Sequence, residues 1–496
     1  MRSVLLIAML AAVVGCPLAQ TLGETTFPNS GSQDAQEPFL RGLLLLHSFE
    51  YVDARDAFQE AQSIDPSFAM AYWGEAMTHN HPIWMRQDRE AALAVLESME
   101  AAREDPRHGL STSDRENAYL STLTVLFEPD EVAPRPKEER DDRYAEAMRQ
   151  LAAAYPGDLD AQAFHALAIL GTAHEGRDFP TYMHAASILE EVFAANPRHP
   201  GAAHYLIHAY DDPVHAPLGL RPARVYDQIA PAASHALHMP SHIYLALGMW
   251  PETAEMNRRS YLAAKANSDR RGGALNGHGW HALWWWHYAA IQLGDRPLAD
   301  SLLQVAQANA GPEPTATATA HVTRIASQQA HAFADWDAIR SLPAVQGGSA
   351  TTLAADVHAR AFAARAAGDA EVAFEVTVPL DMKIDGYATA EEVPWQAMVT
   401  SLSLDAAFLL DQGDAEDAVA VLRRAAEIES AAPLTFGPPA PAVPANEALG
   451  LLLLDLNRVQ EAVEAFEASL ARAPNRRQSV EGLRRAQSAG ARATAD

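Results

Sequence analysis

A pattern of small and aromatic residues occurs twice in the chain, near its two ends, with the same spacing. One copy is Gly42, Ala54, Phe58 and Pro66, and the other is Gly450, Ala462, Phe466 and Pro474; both advance by twelve, four and eight residues. Partial copies lie between them: Ala185, Leu189 and Pro197; Gly294, Ala299 and Leu303; Gly413, Ala418 and Leu422. A pattern that returns along a chain is typical of an array of similar structural units. The sequence therefore predicts a repeat protein.

The units of this array are predicted to be helical. After residue 35, apolar residues return every three or four positions, and alanine, leucine and glutamate dominate. Alternating runs typical of strands are rare, and the best candidate is the short segment 374–379, which ends in proline. Five prolines within residues 430–446 exclude a helix there, so this segment is expected to be a linker or a strap across a groove.

The repeated pattern resembles the tetratricopeptide repeat (TPR), a helix-turn-helix unit of about 34 residues. The resemblance implies an all-α fold, a right-handed superhelical solenoid in which stacked helical pairs bury a continuous core and form a concave groove. It also implies a binding protein that holds a protein or peptide ligand in that groove, because such arrays usually serve interactions.

The pattern divides the chain into six segments. They are a signal peptide at 1–19, N-terminal repeats at 35–127, central histidine-rich repeats at 143–310, further helical repeats at 318–429, a C-terminal repeat at 446–485 and a flexible tail at 486–496.

The N-terminus predicts export to the periplasm or the cell envelope. One basic residue, Arg2, precedes an apolar run from Val4 to Val14 that is too short to span a membrane as a mature helix. The only cysteine, Cys16, follows Val-Val-Gly, which resembles a bacterial lipoprotein box. In that case the leader ends at residue 15 and a lipid on Cys16 tethers the protein to a membrane. The alternative is ordinary cleavage after Ala19, which discards the cysteine.

Composition disfavours nucleic acid as a partner. The formal charge is −27, and an acidic surface repels phosphate backbones. The sequence has no Gly-rich phosphate loop, no zinc-finger spacing and no Gly-x-Ser-x-Gly nucleophile motif. These absences leave binding or metal chemistry as the functions to consider.

Histidines are concentrated in the central repeats. Of the 20 histidines, ten fall between His199 and His287. The TPR resemblance implies that the second, fifth and ninth residues of each first helix face the groove. With units starting at Pro200, Ser234 and Trp280, these positions hold His204 and His208; His235, His238 and His242; and His281, Trp284 and Tyr288. Three successive units are thus predicted to direct imidazole or aromatic rings into one groove.

These histidines predict either a metal site or a polar groove. The candidate metal ligands are His204, His208, His235, His238 and His242, with Asp211 as a nearby carboxylate. Imidazole and carboxylate donors suit a divalent transition metal, zinc above all. The spacing matches no metalloenzyme signature such as His-Glu-x-x-His. The alternative is a partly buried groove whose histidines hydrogen-bond to each other and to the backbone.

Aromatic residues supply candidate walls for a ligand groove, namely Trp73, Trp284, Tyr288 and the ring of His281. Packing in the core is the alternative for the tryptophans, since the consecutive residues 284–286 point in different directions on a helix. Two functions therefore remain. One is an exported solenoid that binds a partner, and the other is a metal-binding protein or metal-dependent enzyme, such as a hydrolase, that uses the central histidines.

Overall fold

The computed structural model describes residues 21–493, except 106–108, 111, 130–131, 436 and 440, and its regular structure is almost entirely helical. In chain order the α-helices of this part are α1 Gln36–His47, α2 Tyr51–Ile64, α3 Ala69–Met77, α4 Arg89–Glu104, α5 Asp114–Phe127, α6 Lys137–Ala154, α7 Leu159–Leu170, α8 Phe179–Ala195, α9 Pro200–Tyr210, α10 Ala216–Ile229, α11 Ser234–His238, α12 Pro240–Ala246, α13 Trp250–Arg270, α14 Gly277–Leu293, α15 Arg296–Ala310, α16 Ala316–Phe333, α17 Asp337–Arg340, α18 Ala350–Ala366, α19 Ala370–Glu375, α20 Val378–Asp385, α21 Trp395–Gln412, α22 Ala415–Ala431, α23 Ala445–Asp455, α24 Val459–Arg472 and α25 Arg477–Ala493. Short 3₁₀ turns cover Gln33–Ala35, Pro82–Trp84 and Ala390–Glu392. Strands β1 (Asn80–His81) and β2 (Arg86–Gln87) form a two-residue antiparallel ladder with Asn80 opposite Gln87. The predicted all-α array of helical hairpins is confirmed.

The repeated glycines and phenylalanines pack against each other. A Cβ atom on Gly42 of α1 would lie 2.9 Å from the Phe58 ring of α2, and one on Gly74 of α3 would lie 2.3 Å from it. In the C-terminal copy, Gly450 and Gly482 flank the Phe466 ring at the same two distances, 2.9 and 2.3 Å. The ring of each middle helix thus inserts between glycines of its two neighbours, which accounts for the fixed spacing.

The turns inside the hairpins need a left-handed backbone. Gly248, Gly294, Gly413 and Asn457 have φ of 66°, 72°, 91° and 59° at the turns after α12, α14, α21 and α23. Glycine and asparagine tolerate this conformation, but it is costly for a bulky residue. The equivalent residue after α1 is Phe49, with φ of 56° and a buried side chain. Contacts of its ring must offset that cost.

Hydrophobic side chains form a chain of four clusters. The clusters span residues 22–246, 261–363, 350–404 and 399–486, and each packs consecutive helices against one another. This distribution is typical of a repeat array, in which every unit buries its apolar face on its neighbours.

The C-terminal repeat packs against the middle of the array. Trp250 at the start of α13 donates from Nε1 to the Asn475 carbonyl oxygen at 3.0 Å, although the two residues are 225 positions apart. Arg476 donates to the Tyr288 hydroxyl at 3.0 Å and pairs with the buried Glu447 carboxylate at 2.8 Å. These contacts curl the array so that α14 lies between the central and the C-terminal helices.

The proline-rich segment between α22 and α23 lies inside this curl. Its described residues form no helix, as predicted from its prolines. The Pro439 carbonyl oxygen accepts a hydrogen bond from Gln328 Nε2 at 3.3 Å. A Cβ atom on Gly437 would lie 2.6 Å from the Trp285 ring, so only glycine fits there. The segment is a strap that covers one face of α14.

Two expectations about local structure are corrected. Residues 374–379 are not a strand, because α19 runs through Glu375 and α20 begins at Val378. The Asp369 side chain accepts from the Val372 backbone N–H and caps α19, and Pro379 occupies the first turn of α20, where no backbone donor is needed. Similarly, α14 begins at Gly277, capped by Asn276, rather than at Trp280.

The predicted leader at 1–19, with Cys16, lies outside the described residues. Among the helices that are described, none combines the length and the apolar character required to cross a bilayer.

Candidate metal centre

Six histidines from α9, α11, α12 and α14 converge in two neighbouring sets. The His204 set consists of His204, His208 and His235, and the His238 set consists of His238, His242 and His281. Within each set, one ring nitrogen from every histidine lies within 4.8 Å of the other two. The structure therefore brings together all five histidines predicted as ligands and adds His281, which was predicted to line the groove.

The break between α11 and α12 leaves the His238 set aligned. Pro240 has no N–H to continue the helical ladder, so it begins a new helix. Met239 nevertheless keeps right-handed helical angles, φ −54° and ψ −37°, and the chain direction continues. His238 and His242 consequently stay one turn apart on one face, with their Nε2 atoms 2.9 Å apart.

Hydrogen bonds fix the tautomers of these two rings. His242 Nδ1 lies 2.5 Å from Asp211 Oδ2, and a carboxylate can only accept, so this Nδ1 carries the hydrogen. His238 Nδ1 lies 2.6 Å from Asn257 Oδ1. The Asn257 amide cannot be flipped, because its Nδ2 donates to the Thr253 carbonyl oxygen at 2.8 Å. Both neutral rings therefore direct an unprotonated Nε2 at the other.

Two lone pairs facing each other at this distance require a positive charge between them. A proton is one candidate and a metal ion is the other. Burial lowers the pKa of His238 well below its usual value, and burial also lowers the pKa of His281. Burial of His238 and His281 thus favours their neutral rings, the form that binds metals.

The His238 set is closed on one side and open on the other. The fully buried Trp285 ring packs under it, with ring centroids 4.7 Å from His238 and 4.5 Å from His242. The strap residue Gly437 lies against that indole. His281, by contrast, is only partly buried and borders a cavity. Three protein nitrogens with an open side are typical of catalytic rather than structural metal sites.

The His204 set is more deeply buried. His204 Nδ1 donates to the His47 carbonyl oxygen at 2.6 Å, which leaves its Nε2 as an acceptor without a hydrogen-bond partner among the described residues. Burial lowers the pKa of His204 to about 3. His235 is held by its backbone N–H, which donates to Glu50 Oε1 at 2.9 Å, and its Nε2 also lacks a partner within the described chain. The His208 ring centroid lies 4.9 Å from that of His204.

Phe49 forms the apolar wall of the His204 set. Its ring centroid lies 4.3 Å from that of His204 and 5.8 Å from those of His208 and His235. These contacts explain why a bulky residue occupies a left-handed turn position that is glycine or asparagine after α12, α14, α21 and α23. Strained backbone of this kind is concentrated at functional sites.

A third group of potential ligands is a completed hydrogen-bond network. His47 Nε2 lies 2.8 Å from Asp160 Oδ1, and its Nδ1 lies 3.0 Å from the Tyr205 hydroxyl. His199 Nδ1 accepts from the Ala202 backbone N–H at 3.2 Å, so its Nε2 carries a hydrogen and points at Asp160 from 3.4 Å. No lone pair on a ring nitrogen of His47 or His199 remains for a metal. The network instead fixes the residue whose carbonyl oxygen orients His204.

Both sets open on one cavity of about 790 Å³. Its histidine wall includes His208 and His235 from one set and His242 and His281 from the other. Acidic residues Glu50 and Asp53 also line the cavity, together with aromatic and cationic side chains, namely Phe49, Tyr51, Trp84, Trp284, Arg86, Arg271 and Arg324. A cavity of this size suits a small molecule, for which sites of roughly 300–1,000 Å³ are usual.

Three of the predicted site residues have other positions or roles. Trp73 is fully buried in the core, with ring centroids 5.3 Å from Tyr119 and 5.5 Å from Phe164, so it lines no groove. Tyr288 is buried where the C-terminal repeat docks. Asp211 stands behind His242 and is not part of either nitrogen set. Of the four residues predicted as walls of the ligand groove, Trp284 and His281 line the cavity.

The sequence did not reveal four residues that build the site: His47, Phe49, Glu50 and Asn257. The signal for Phe49 was its place in a turn where related hairpins have glycine. Glu50 and His47 flank that turn, and nothing in their local sequence indicates contact with residues more than 150 positions away.

Comparison with known proteins supports the presence of a tetratricopeptide repeat and no more specific function. Residues 443–476 match the tetratricopeptide repeat family model, which confirms the predicted TPR at α23 and α24. No curated protein sequence matches the chain. Similar solved structures include a human IFIT1 dimer with PPP-AAAA (12% identity, 95% of this chain and 98% of that one, TM-score 0.41) and yeast Tom70 (9% identity, 93% and 89%, TM-score 0.32). Similarities this low carry no argument about function.

Proposed function

We propose that the protein binds a transition-metal ion through His238, His242 and His281 and presents it to a small molecule in the adjoining cavity. The observation that carries the proposal is the pair of opposed, unprotonated Nε2 atoms of His238 and His242, 2.9 Å apart. Asp211 and Asn257 fix this arrangement from behind, as carboxylates and amides do for metal-bound histidines.

Zinc is the ion expected first. Three neutral imidazoles with an open fourth position are a zinc set used for activating water, and copper is the other ion that imidazole donors suit. A metal-bound water facing the cavity would make hydrolysis or hydration of a small substrate the class of reaction to test.

The cavity wall favours an anionic molecule. Arg324 has no acidic partner among the described residues, and its guanidinium lies 4.4 Å from the Trp284 ring. Arg271, on the same wall, is neutralised by Asp53 and Asp56. A carboxylate bound near Arg324 would gain a charge-assisted hydrogen bond close to the metal.

Metal analysis of the untagged, full-length protein tests the proposal. The purified protein, or metal-free protein dialysed against zinc, should retain at least one ion per chain. His238→Leu and His242→Leu should lower the zinc affinity at least about 100-fold, because each removes a ligand and leaves an incomplete set. His321→Leu, which changes a cavity histidine outside both sets, should have no effect. A protein that retains neither zinc nor copper would refute the proposal.

The preference for anions has its own test. Cobalt replaces zinc as a coloured probe, and benzoate binding is followed by the visible spectrum. Arg324→Gln should weaken benzoate binding about tenfold or more, whereas Arg271→Gln should change it only slightly. Equal effects of the two substitutions would show that Arg324 does not select the anion.

Helical arrays of this type commonly bind other proteins. A protein or peptide ligand in the groove stays a prediction for this chain, as does export to the periplasm or cell envelope. We propose that export is directed by the apolar leader. Mass spectrometry of the mature N-terminus would distinguish a lipidated Cys16 from cleavage after Ala19.

A further inference from the structure

We infer that His204, His208 and His235 bind a second metal ion, so that the protein holds a dinuclear centre. This inference rests on the proposed function, since it adds an ion beside the one held by the His238 set. The three ring nitrogens lie within 4.8 Å of one another, on α9 and α11.

Unpartnered ring nitrogens point to a ligand at this position. His204 is 0% exposed and His235 is 4% exposed, and the Nε2 atom of each lacks a hydrogen-bond partner among the described residues. A buried acceptor without a partner is destabilising, so such atoms are rare unless something binds them. The His204 ring cannot switch tautomer to avoid this, because its Nδ1 donates to the His47 carbonyl oxygen.

The two sets are direct neighbours. The ring centroid of His208 lies 5.7 Å from that of His242, and the ring centroid of His235 lies 5.9 Å from that of His238. Each pair joins one set to the other. Both sets also border the same cavity, through His208 and His235 on one side and His242 and His281 on the other.

The chemistry of the donors defines the ions and what bridges them. Both sets consist of imidazole donors, which favour copper and zinc over magnesium, calcium or manganese. Asp211 is occupied by His242 Nδ1 and lies behind that ring, and Glu50 Oε1 is occupied by the His235 backbone N–H. A ligand shared by the two ions must therefore enter from the cavity, and we assign it to the class of small oxygen donors such as hydroxide.

Metal stoichiometry is the first test. Metal-free, untagged protein dialysed against zinc or copper should bind two ions per chain. His235→Leu should bind one, and so should the more conservative His235→Gln, which keeps the fold testable if leucine is not tolerated. His321→Leu should still bind two. One ion in the wild-type protein, unaltered by either substitution at His235, would overturn the inference and leave the proposed function standing. No ion at all would refute both.

Electron paramagnetic resonance of the copper(II) form tests the proximity of the ions. Two copper(II) ions bridged by hydroxide couple magnetically, so the signal should account for less than half of the copper measured chemically. In His235→Gln the remaining copper should become fully visible. A wild-type signal that accounts for all of two bound ions would show that they are independent, and the dinuclear centre would be rejected.

Discussion

Replacing Asn257 with leucine should change the tautomer of His238 while its ring stays in place. Asn257 Oδ1 is 2.6 Å from His238 Nδ1 and holds the hydrogen on that nitrogen. Without this acceptor the ring can place its hydrogen on Nε2 and donate to His242, 2.9 Å away. The metal-free state thereby gains a hydrogen bond, and the ion must compete with it.

The expected loss of metal affinity follows from measurements on the hydrogen-bond partners of metal-bound histidines in general. Their loss lowers metal affinity about 10- to 100-fold, which corresponds to about 1.4–2.7 kcal/mol. Zinc affinity measured by competition with a chelator should fall by this factor. The stabilisation of the fold by a fixed excess of zinc should shrink by the same free energy, because the ion binds only the native state.

The matched control is Asn257→Asp, which keeps an acceptor at the same position. Zinc binding should be retained or strengthened in this variant. The stability of each metal-free variant serves as its own reference, so any packing effect of leucine cancels. If Asn257→Leu binds zinc as tightly as the wild-type protein, the opposed lone pairs do not determine metal binding and the tautomer argument is refuted.

Three further predictions concern the scaffold. Arg476→Met leaves the fully buried Glu447 carboxylate unpaired and should cost about 3–5 kcal/mol of unfolding free energy in urea, much of it recovered when Glu447→Gln is added. Gly74→Ala places a Cβ atom 2.3 Å from an aromatic ring and should cost about 1–3 kcal/mol, while Gly157→Ala, with no neighbour within 4 Å, should cost little. Burial lowers the pKa of His358 from 6.5 to about 4. The unfolded chain therefore binds the proton more readily, and stability should be complete above pH 6.5 and decline by up to about 3 kcal/mol towards pH 4. In metal-free His358→Leu this decline should be smaller by that amount; an unchanged pH dependence would contradict the assignment.

The hairpins could be predicted because their signals are local. The spacing of Gly42 and Phe58 reflects contact between consecutive helices, and the sequence contains both partners within one unit. The same reasoning predicted five of the six clustered histidines as neighbours, since helical periodicity alone places His204 and His208 on one face.

Residues brought in by the curl of the array were not predictable. A tryptophan at an inward helix position faces either the core or the cavity, and the packing of distant helices decides which. Trp284 faces the cavity, whereas Trp73 is enclosed by Tyr119 and Phe164. Asn257 is polar and fully buried, but its sequence neighbours give no sign that its partner is a histidine on another helix.

The first hairpin, α1 and α2, connects local helix pairing with the contacts between distant helices. Its turn after α1 supplies the carbonyl oxygen of His47 to His204, the ring of Phe49 to the His204 set and the carboxylate of Glu50 to the backbone of His235. All three contacts join residues at least 155 positions apart without involving a metal ion. The geometry of the proposed ligands therefore depends on the closure of the helical array. Such preorganisation lowers the cost of ordering the ligands, and it explains why a strained turn is tolerated where a glycine would relieve it.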